Sequence, residues 1–451
     1  MSEWKEYRLG EILKVKHGFA FKGEYITDIP NNSILVTPGN FHIGGGFKSD
    51  KFKYYSRDEF PKEYILSEND IVVTMTDLSK DSDTLGYSAK IPKSIEKRYL
   101  HNQRVGLLQF KNLKFDQDFV YWLLRTREYQ GYVVGSASGT SIMHTSPSRI
   151  EDYVGLFPPL PEQRAIASIL TSLDDKIDLL QRQNASLEKM AETLFRQWFV
   201  EEAKEEWEEK SFYECIELVG GGTPKTEKTE YWNGTIDWLS GGDITKNHKN
   251  FVISAEKTIT DLGLKNSSTK LLPQYSTIIS ARGTVGKYCL LAKPMTFSQS
   301  NYGILPKYNK CFFFTYLLLS HSVDELLSAA YGCVFDTITT NTFKGITVRV
   351  PNKKQIIDFE EKIKPYFKKM INNQSQIRTL TQLRDTLLPK LMSGEVVLCS
   401  SFFSGDNVDS ADCVRNLSAR SALSPEKEKT TPCPHHLQGR HCPPLNPLKS
   451  K

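Results

Sequence analysis

The stretch Pro158–Phe199 reads PPLPEQRAIASILTSLDDKIDLLQRQNASLEKMAETLFRQWF. Ile166, Leu170, Leu173, Ile177, Leu180, Leu187, Leu194 and Trp198 recur at alternating steps of four and three, with Asn184 and Ala191 at the intervening steps. That spacing is a 3.5-residue repeat, sustained over about four heptads, and it describes a coiled-coil seam rather than the wider apolar face of a helix lying on its own domain. A seam of this kind needs a partner.

The chain supplies one by repeating itself. Trp4 recurs as Trp207, Gly18 as Gly221, and Gly39-Asn40-Phe41 as Gly242-Asp243-Ile244. Val72-Val73-Thr74 aligns with Ile278-Ile279-Ser280, Asn102-Gln103 with Ser298-Gln299, and Phe119 and Tyr121 with Phe314 and Tyr316. Pro159 and Gln163 map to Pro351 and Gln355, and Leu187, Leu194 and Trp198 to Leu380, Leu387 and Leu391. The separations drift by a few residues, as loop insertions and deletions produce. A globular domain followed by a long helix is therefore present twice.

The second seam runs through Met370, Ile377, Leu380, Leu387 and Leu391. Pro365 interrupts a helix locally, and it falls opposite Ser172 of the first copy, where Thr171-Ser172 offers a fresh cap. The expectation is a short helix, a break and a long helix in each copy, the long ones near 173–199 and 366–392, with Pro389 fraying the last turn. Asn352 and Gln355 have capping-box spacing, and Gly394 suits a C-terminal cap. If the helices pair antiparallel, Asn184 and Asn373 meet as polar register-setters or else turn outward to solvent.

Boundaries follow from this reading: a first β-leaning domain at 1–157, a helical region at 158–203, a second β-leaning domain at 204–350, a second helical region at 351–397, and a tail at 398–451. The fold class is α+β, with two β-rich domains separated by two long antiparallel helices related by a pseudo-twofold axis. The tail is rich in Ser, Asn and Pro, has no apolar period and no counterpart after the first helix, and is expected to be disordered. Its Cys433, His435, His436, His441 and Cys442 lack regular metal-ligand spacing.

Composition bounds the function. Apolar residues make up 39% and charged residues 25% of 451, as in a soluble globular protein. The longest apolar run, Cys311–Leu319, is too short for a bilayer, and the start carries no apolar signal segment, so a cytoplasmic location is expected. Eight scattered cysteines form no Cys-x-x-Cys pair, and those before the tail read as core residues of a reducing compartment. The net charge of +5 permits nucleic-acid binding without demanding it.

Two heads on a rod suit duplex DNA, where sites on one face recur at about 34 Å. A helix rod of about 40 Å spans that distance, and heads of different sequence would read two different half-sites. Lys48, Lys51, Lys53 and Tyr54 mix cations with aromatics in the first head, as do Lys225, Lys228 and Trp232 in the second. Lys246, Asn247 and Lys249 form another cluster, and Arg282 follows an apolar strand. Cations neutralise phosphates, while Asn, Arg and aromatics reach base edges; taken singly, each also fits an ordinary polar loop.

Catalytic signatures are missing. Neither Pro158-Pro159 nor Pro443-Pro444 follows Asn or Asp, as an amino-methyltransferase motif would need. Gly283-Thr284-Val285-Gly286-Lys287-Tyr288 has the wrong spacing for a phosphate-cradling loop. Glu-x-Lys triplets such as Glu202-Ala203-Lys204 fit solvated helix faces, and Ser138–Ser141 fits a turn.

Pro158-Pro-Leu-Pro-Glu-Gln-Arg-Ala-Ile-Ala167, Leu173-Asp-Asp-Lys-Ile-Asp178, Leu194-Phe-Arg-Gln-Trp-Phe199 and Leu388-Pro-Lys-Leu-Met-Ser-Gly-Glu395 resemble the conserved regions of type I restriction-modification specificity subunits. The resemblance covers residues 1–397. It implies two target-recognition domains, an asymmetric bipartite double-stranded DNA target, two methyltransferase (modification) subunits docked on the helices, and restriction/translocase subunits in the full complex, in a bacterial or archaeal cytoplasm without membrane contact. It places S-adenosylmethionine, ATP and Mg in those partners, with no cofactor, metal or catalysis in this chain. A stand-alone two-headed DNA-binding scaffold or regulator fits the same architecture, and an enzyme with an unrecognised site is a third reading. The family ends soon after Met392-Ser-Gly-Glu395, so the tail departs from it.

Overall fold

The computed structural model describes residues 3–77, 79, 83–111, 114–139, 142–308, 310–331, 337–396 and 398. The tail from residue 399 on, with Cys399, Cys413, Cys433 and Cys442, lies outside these residues, as do Cys333 and residues 140 and 141 of the Ser138–Ser141 turn.

Two long helices run Leu160–Arg196, with 37 residues, and Lys353–Met392, with 40 residues. The first continues as a π turn over Gln197–Glu201. At about 1.5 Å per residue they are roughly 55 and 60 Å long, longer than the interrupted helices expected from the sequence. Pro365 and Pro389 both sit inside the second helix. Proline costs a helix interior about 3 kcal/mol, but Pro365 faces solvent while Phe359, Ile363 and Phe367 around it are fully buried. Phe367 stacks on Phe313 with ring centroids 4.4 Å apart. Packing of the flanking turns therefore overrides the local break. In the first helix the Ser172 hydroxyl donates back to the Ile169 carbonyl at 2.8 Å instead of capping a new helix.

Local signals hold better at the ends. Asn352 caps the second helix by accepting from the Gln355 amide at 3.0 Å. The reciprocal half of the box is not made, because Oε1 of Gln355 is buried without a partner. Gly394, with φ +73°, follows the last turn.

The helices are antiparallel, and three contacts give the register. Phe199 meets Phe359 at 4.7 Å, Nδ2 of Asn373 donates to Oδ1 of Asn184 at 2.9 Å, and Arg384 donates to Asp174 at 2.5 Å. Asn373 is fully buried and Asn184 is 7% exposed, so the pair sits inside the seam, where Asn184 also donates to the Met370 carbonyl. Ile177, Leu180, Met370 and Leu391 are buried. Leu173, Leu187, Leu194, Trp198, Ile377, Leu380 and Leu387 are half-buried, and of these Leu187, Leu194 and Trp198 pack against the second head's core.

Each head is built on two sheets with matching connectivity. In the first, Leu13–His17, Val105–Phe110, Ile71–Thr74 and Ser88–Lys90 lie side by side in that order, all antiparallel. In the second, Ile216–Gly220, Asn301–Pro306, Thr277–Ser280 and Tyr288–Leu291 repeat the order and sense. The other sheet pairs Ser33–Val36 parallel to Arg98–His101 and antiparallel to Lys53–Tyr55. Its counterpart pairs Trp232–Leu239 parallel to Thr296–Phe297 and antiparallel to Lys257–Ile259. Gly18 and Gly221 show why the repeat retains glycine: a Cβ on either would lie 2.1 Å from the carbonyl oxygen of Asn102 or Ser298.

The heads engage different parts of the helix pair. In the first, Trp122 donates to Thr171 at 2.9 Å, Arg125 donates to Asp174 at 2.7 Å, and the Asp116 amide donates to Gln163 at 2.9 Å. In the second, Tyr316 donates to Glu188 at 2.9 Å, and the Phe313 and Phe314 amides donate to Glu360. The apolar run from Cys311 is part of this junction: Phe312–Tyr331 is a helix whose Phe313, Phe314, Leu317 and Leu319 share one core with Phe195, Phe199 and Phe359.

Replacing Asn373 with Leu is expected to lower stability by about 1–3 kcal/mol by stranding the buried Oδ1 of Asn184, which accepts from Asn373. Replacing both with Leu should recover most of that loss in urea titrations; equal losses in the single and double variants would remove the amide pair from the account. Burial pushes the Glu188 carboxyl up to about 7, against the Tyr316 hydroxyl bond and helped by Glu192; burial does the same to Glu360, against the Phe314 and Phe313 amides. A folded-state value raised above the ordinary 4.5 means that the folded chain holds extra protons between the two values. Stability from these groups is therefore full below the lower value and lost as pH rises through about 7. Glu188→Gln keeps the Tyr316 acceptor and should show a smaller fall in thermal midpoint between acid and neutral pH than the parent; an unchanged fall would count against this junction as its source.

Candidate nucleic-acid interface

In the second head, four chain segments meet at one edge of the sheets. The segment at Thr223 touches the one at Gln299 through a side-chain hydrogen bond. Leu239 accepts from the Ser298 amide at 2.9 Å, Ser300 accepts from the Ala281 amide at 2.9 Å, and the hydroxyls of Thr245 and Thr284 lie 2.6 Å apart. Strand ends explain the convergence: Gly220, Leu239, Ser280 and Phe297 are the last residues of their strands and Asn301 the first of its own. The helix Gly241–Lys246 begins here, with a capping box in which Ser240 and Asp243 bond reciprocally.

This rim carries cations. Lys225, Lys246 and Arg282 are exposed, with no ion pair among the described residues. Lys287 adds a fourth on the same loop, close enough that, after burial, it is the next cause lowering the His248 imidazole. Gln299 is exposed, and Thr284 and Arg282 stand on a turn whose Gly286 amide donates to the Ser280 carbonyl at 2.9 Å. Cations around hydroxyl and amide side chains are the groups that hold phosphates and reach base edges.

The first head has a matching edge with different residues. Phe19 and Gln103 bond across their backbones at 3.0 Å, the Arg104 amide donates to Asn102 at 2.9 Å, and the Met75 amide donates to the Arg104 carbonyl at 2.9 Å. Gln103 and Arg104 are exposed, as is His144, whose Nδ1 lies 3.1 Å from the Thr76 hydroxyl. Next to them, buried Asp77 accepts from Thr84 and Leu85 amides at 2.6 and 3.0 Å. Burial works to raise this carboxyl, but the Ser79 and Thr84 donors outweigh it and hold it below its ordinary value.

The residues singled out from sequence divide between rim, core and helix junction. Lys225, Lys246 and Arg282 share the second head's rim. Asn247 ends the rim helix by donating to the Asp243 carbonyl at 2.8 Å. Trp232 packs edge-on against Trp238 at 5.2 Å and donates to the Lys225 carbonyl, so it supports the loop that carries Lys225. Lys228 pairs with Glu230 and covers the Tyr231 ring. Lys249 is turned to Glu192 of the first long helix at 3.3 Å, which ties head to helix. In the first head, Lys48 pairs with Asp50 and Lys53 with Asp28, while Lys51 is exposed. Tyr54 is corrected: its side chain belongs to the core with Ile34, Val36 and Phe41, because it occupies an inward position on Lys53–Tyr55. Sequence reasoning missed Arg104, Thr223, Thr284, Lys287, Gln103 and Gln299 as rim residues, although the last two stood at matching places in the repeat.

Among the described residues no helix is long and apolar enough to cross a membrane, and no group of three or more His, Cys, Asp or Glu residues is placed to hold a metal ion.

The family described as "Type I restriction modification DNA specificity domain" matches residues 1–189 and again 204–383. The HindI specificity subunit of Haemophilus influenzae is 24% identical over an alignment taking in 88% of this chain and 100% of that protein. The MjaIX specificity subunit of Methanocaldococcus jannaschii is 25% identical over 62% of this chain and 69% of its own. A crystal structure of the type I restriction-modification S subunit from M. genitalium shares the fold, with a TM-score of 0.55 at 18% identity over 87% of this chain and 96% of that one. Two copies of the specificity domain, each taking in one head and most of the long helix that follows it, place this chain in the family of type I restriction-modification DNA specificity subunits, the subunits that recognise the DNA target.

Proposed function

We propose that the two rims read the two halves of an asymmetric, bipartite double-stranded DNA target, and that the helix pair sets their separation. The observation that carries this reading is one scaffold used twice with different rims. Arg104, whose carbonyl accepts from the Met75 amide, stands in one head where Ser300, whose carbonyl accepts from the Ala281 amide, stands in the other, and Thr76 stands at the place of Arg282. Gln103 and Gln299 occupy matching exposed turns in both. The second head's anchor at Glu192 lies eighteen residues along the first long helix from the first head's anchor at Asp174, a rise of about 27 Å. That is of the order of one turn of B-DNA, about 34 Å.

The chain acts by binding rather than by chemistry. Its exposed helix faces would dock two methyltransferase subunits and, through them, restriction/translocase subunits. S-adenosylmethionine, ATP and Mg would belong to those partners, and the work would be done in a bacterial or archaeal cytoplasm. The half-exposed Met190 and the neighbouring Leu194 and Tyr366 line an apolar recess on the helix pair that suits such docking.

Exchanging residues 1–157 for the corresponding domain of a relative is expected to change one half-site and leave the other, as read by mapping methylated adenines; a change in both would end the two-reader account. Co-purification with a methyltransferase subunit is the companion measurement, and its absence would favour a stand-alone DNA-binding scaffold. Arg282→Ala and Lys246→Ala should each weaken DNA binding and make the slope of log affinity against log salt shallower by about 1. Slopes equal to that of the parent would take these cations off the phosphate backbone.

A further inference from the structure

The loop His42–Gly46 of the first head contains three successive glycines with positive φ: Gly44 at +84°, Gly45 at +85° and Gly46 at +95°. Glycine has little conformational preference of its own, so the shape of such a loop rests on the hydrogen bonds it makes. Within the loop Gly45 donates its amide to the His42 carbonyl and His42 its amide to the Gly46 carbonyl, both at 3.0 Å, and from outside Arg125 holds the loop to the rest of the molecule. Its Nε donates to the Gly44 carbonyl at 2.9 Å and Nη2 to the Gly45 carbonyl at 3.3 Å. Nη1 donates to the Tyr121 hydroxyl and to Asp174, each at 2.7 Å. The guanidinium lies 4.2 Å from the Trp122 ring, and its side chain is 4% exposed. Asp174 is held in turn by Arg384 of the second long helix at 2.5 Å. One buried fork thus ties the loop carbonyls to both long helices.

The place of this loop in the repeat gives the tie a role. Gly46 donates its amide to the Ser88 carbonyl at 2.8 Å, and Lys249 donates its amide to the Tyr288 carbonyl at 2.8 Å. His42–Gly46 therefore corresponds to Thr245–Lys249, the end of the second head's rim segment, in which Thr245 touches Thr284 and Lys246 is exposed. There too the segment is tied to the helix pair, by Lys249 on Glu192. In the first head, His42 and Ile43 are exposed at the loop tip, Ile43 at 72%.

We propose that Arg125 is a positioning residue for DNA recognition: it holds the His42–Gly46 loop in the conformation that presents His42 and Ile43 to the first head's half-site, referenced to the helix pair through Asp174 and Arg384. This rests on the reading of the rims as the DNA-contacting surfaces. Lysine in place of Arg125 keeps a cation for Asp174 but lacks the planar fork that reaches both carbonyls.

The test selects bound duplexes from a randomised DNA library with the full chain and its Arg125→Lys, Gly45→Ala and Gln103→Ala variants. The parent should yield two fixed half-sites. Arg125→Lys should lose the consensus at one half-site and keep it at the other. Gly45→Ala, whose Cβ would come within 2.6 Å of the Arg125 side chain at a φ that disfavours alanine, should lose the same half-site without altering the Arg125–Asp174 partners chemically. Near-ultraviolet circular dichroism reports whether each variant folds, and retention of the second half-site shows it independently. Two intact half-sites from both Arg125→Lys and Gly45→Ala would overturn the positioning role, as would equal erosion of both half-sites. Gln103→Ala separates the two levels: an intact first half-site there would sink the rim reading itself, whereas its loss beside intact selections from the other two variants would sink only the role of Arg125.

Discussion

Closure of the two long helices on each other is the constraint on which the remaining structure depends. Each helix carries an apolar stripe too narrow for a globular face and too long to leave in water, and each follows its own head in the chain. Antiparallel pairing hides both stripes within one molecule. The register is marked along the length by chemically distinct contacts: Phe199 on Phe359, Asn184 on Asn373 and Asp174 on Arg384. An amide pair inside an apolar seam tolerates only a few alignments, because a slip would bury unpaired amides. With the register set, the first head meets the start of one helix and the end of the other, and the second head meets the opposite ends.

The two junctions show how a repeat diverges while its geometry stays. Tyr121 and Tyr316 occupy corresponding positions at the two interfaces. Tyr121 accepts from Arg125, which pairs with Asp174, whereas Tyr316 donates directly to Glu188. Polarity is exchanged at each site, but in both a polar side chain of the head reaches a carboxylate on the first long helix. The rims vary in the same way. They stand on strand ends whose hydrogen bonding is common to both heads, so side chains there can change without disturbing the ladders below.

The heptad stripe, the repeat, the helix caps at Asn352 and Gly394 and the β-leaning heads were legible because each depends on local spacing or on a match between two stretches. The break at Pro365 was misread because a single proline is a local penalty, and three buried aromatic or aliphatic neighbours on adjacent turns outweigh it. Ser172 was misread for a related reason: the helix continues through it, so the amides a cap would accept from are already bonded along the helix, and its hydroxyl donates to the carbonyl one turn back instead. Tyr54 and Lys249 look alike in sequence, as polar or aromatic residues among cations. One points into a core and the other at a helix far away in the chain, and nothing in the neighbouring residues distinguishes these fates.

By itself the sequence determined that a head and a long helix occur twice, that the helices need each other, and that the chain resembles a family of DNA specificity subunits. These follow from periodicity and self-similarity, which survive without coordinates. Only the tertiary structure decided which residues form a rim. Thr223, Thr245, Arg282 and Gln299 are brought together by strand pairings between segments widely separated in the chain. The same holds for Arg125, whose fork joins a glycine loop to two helices. Such clusters are set by where distant strands and helices terminate in space, a property of the whole packing that no single stretch encodes.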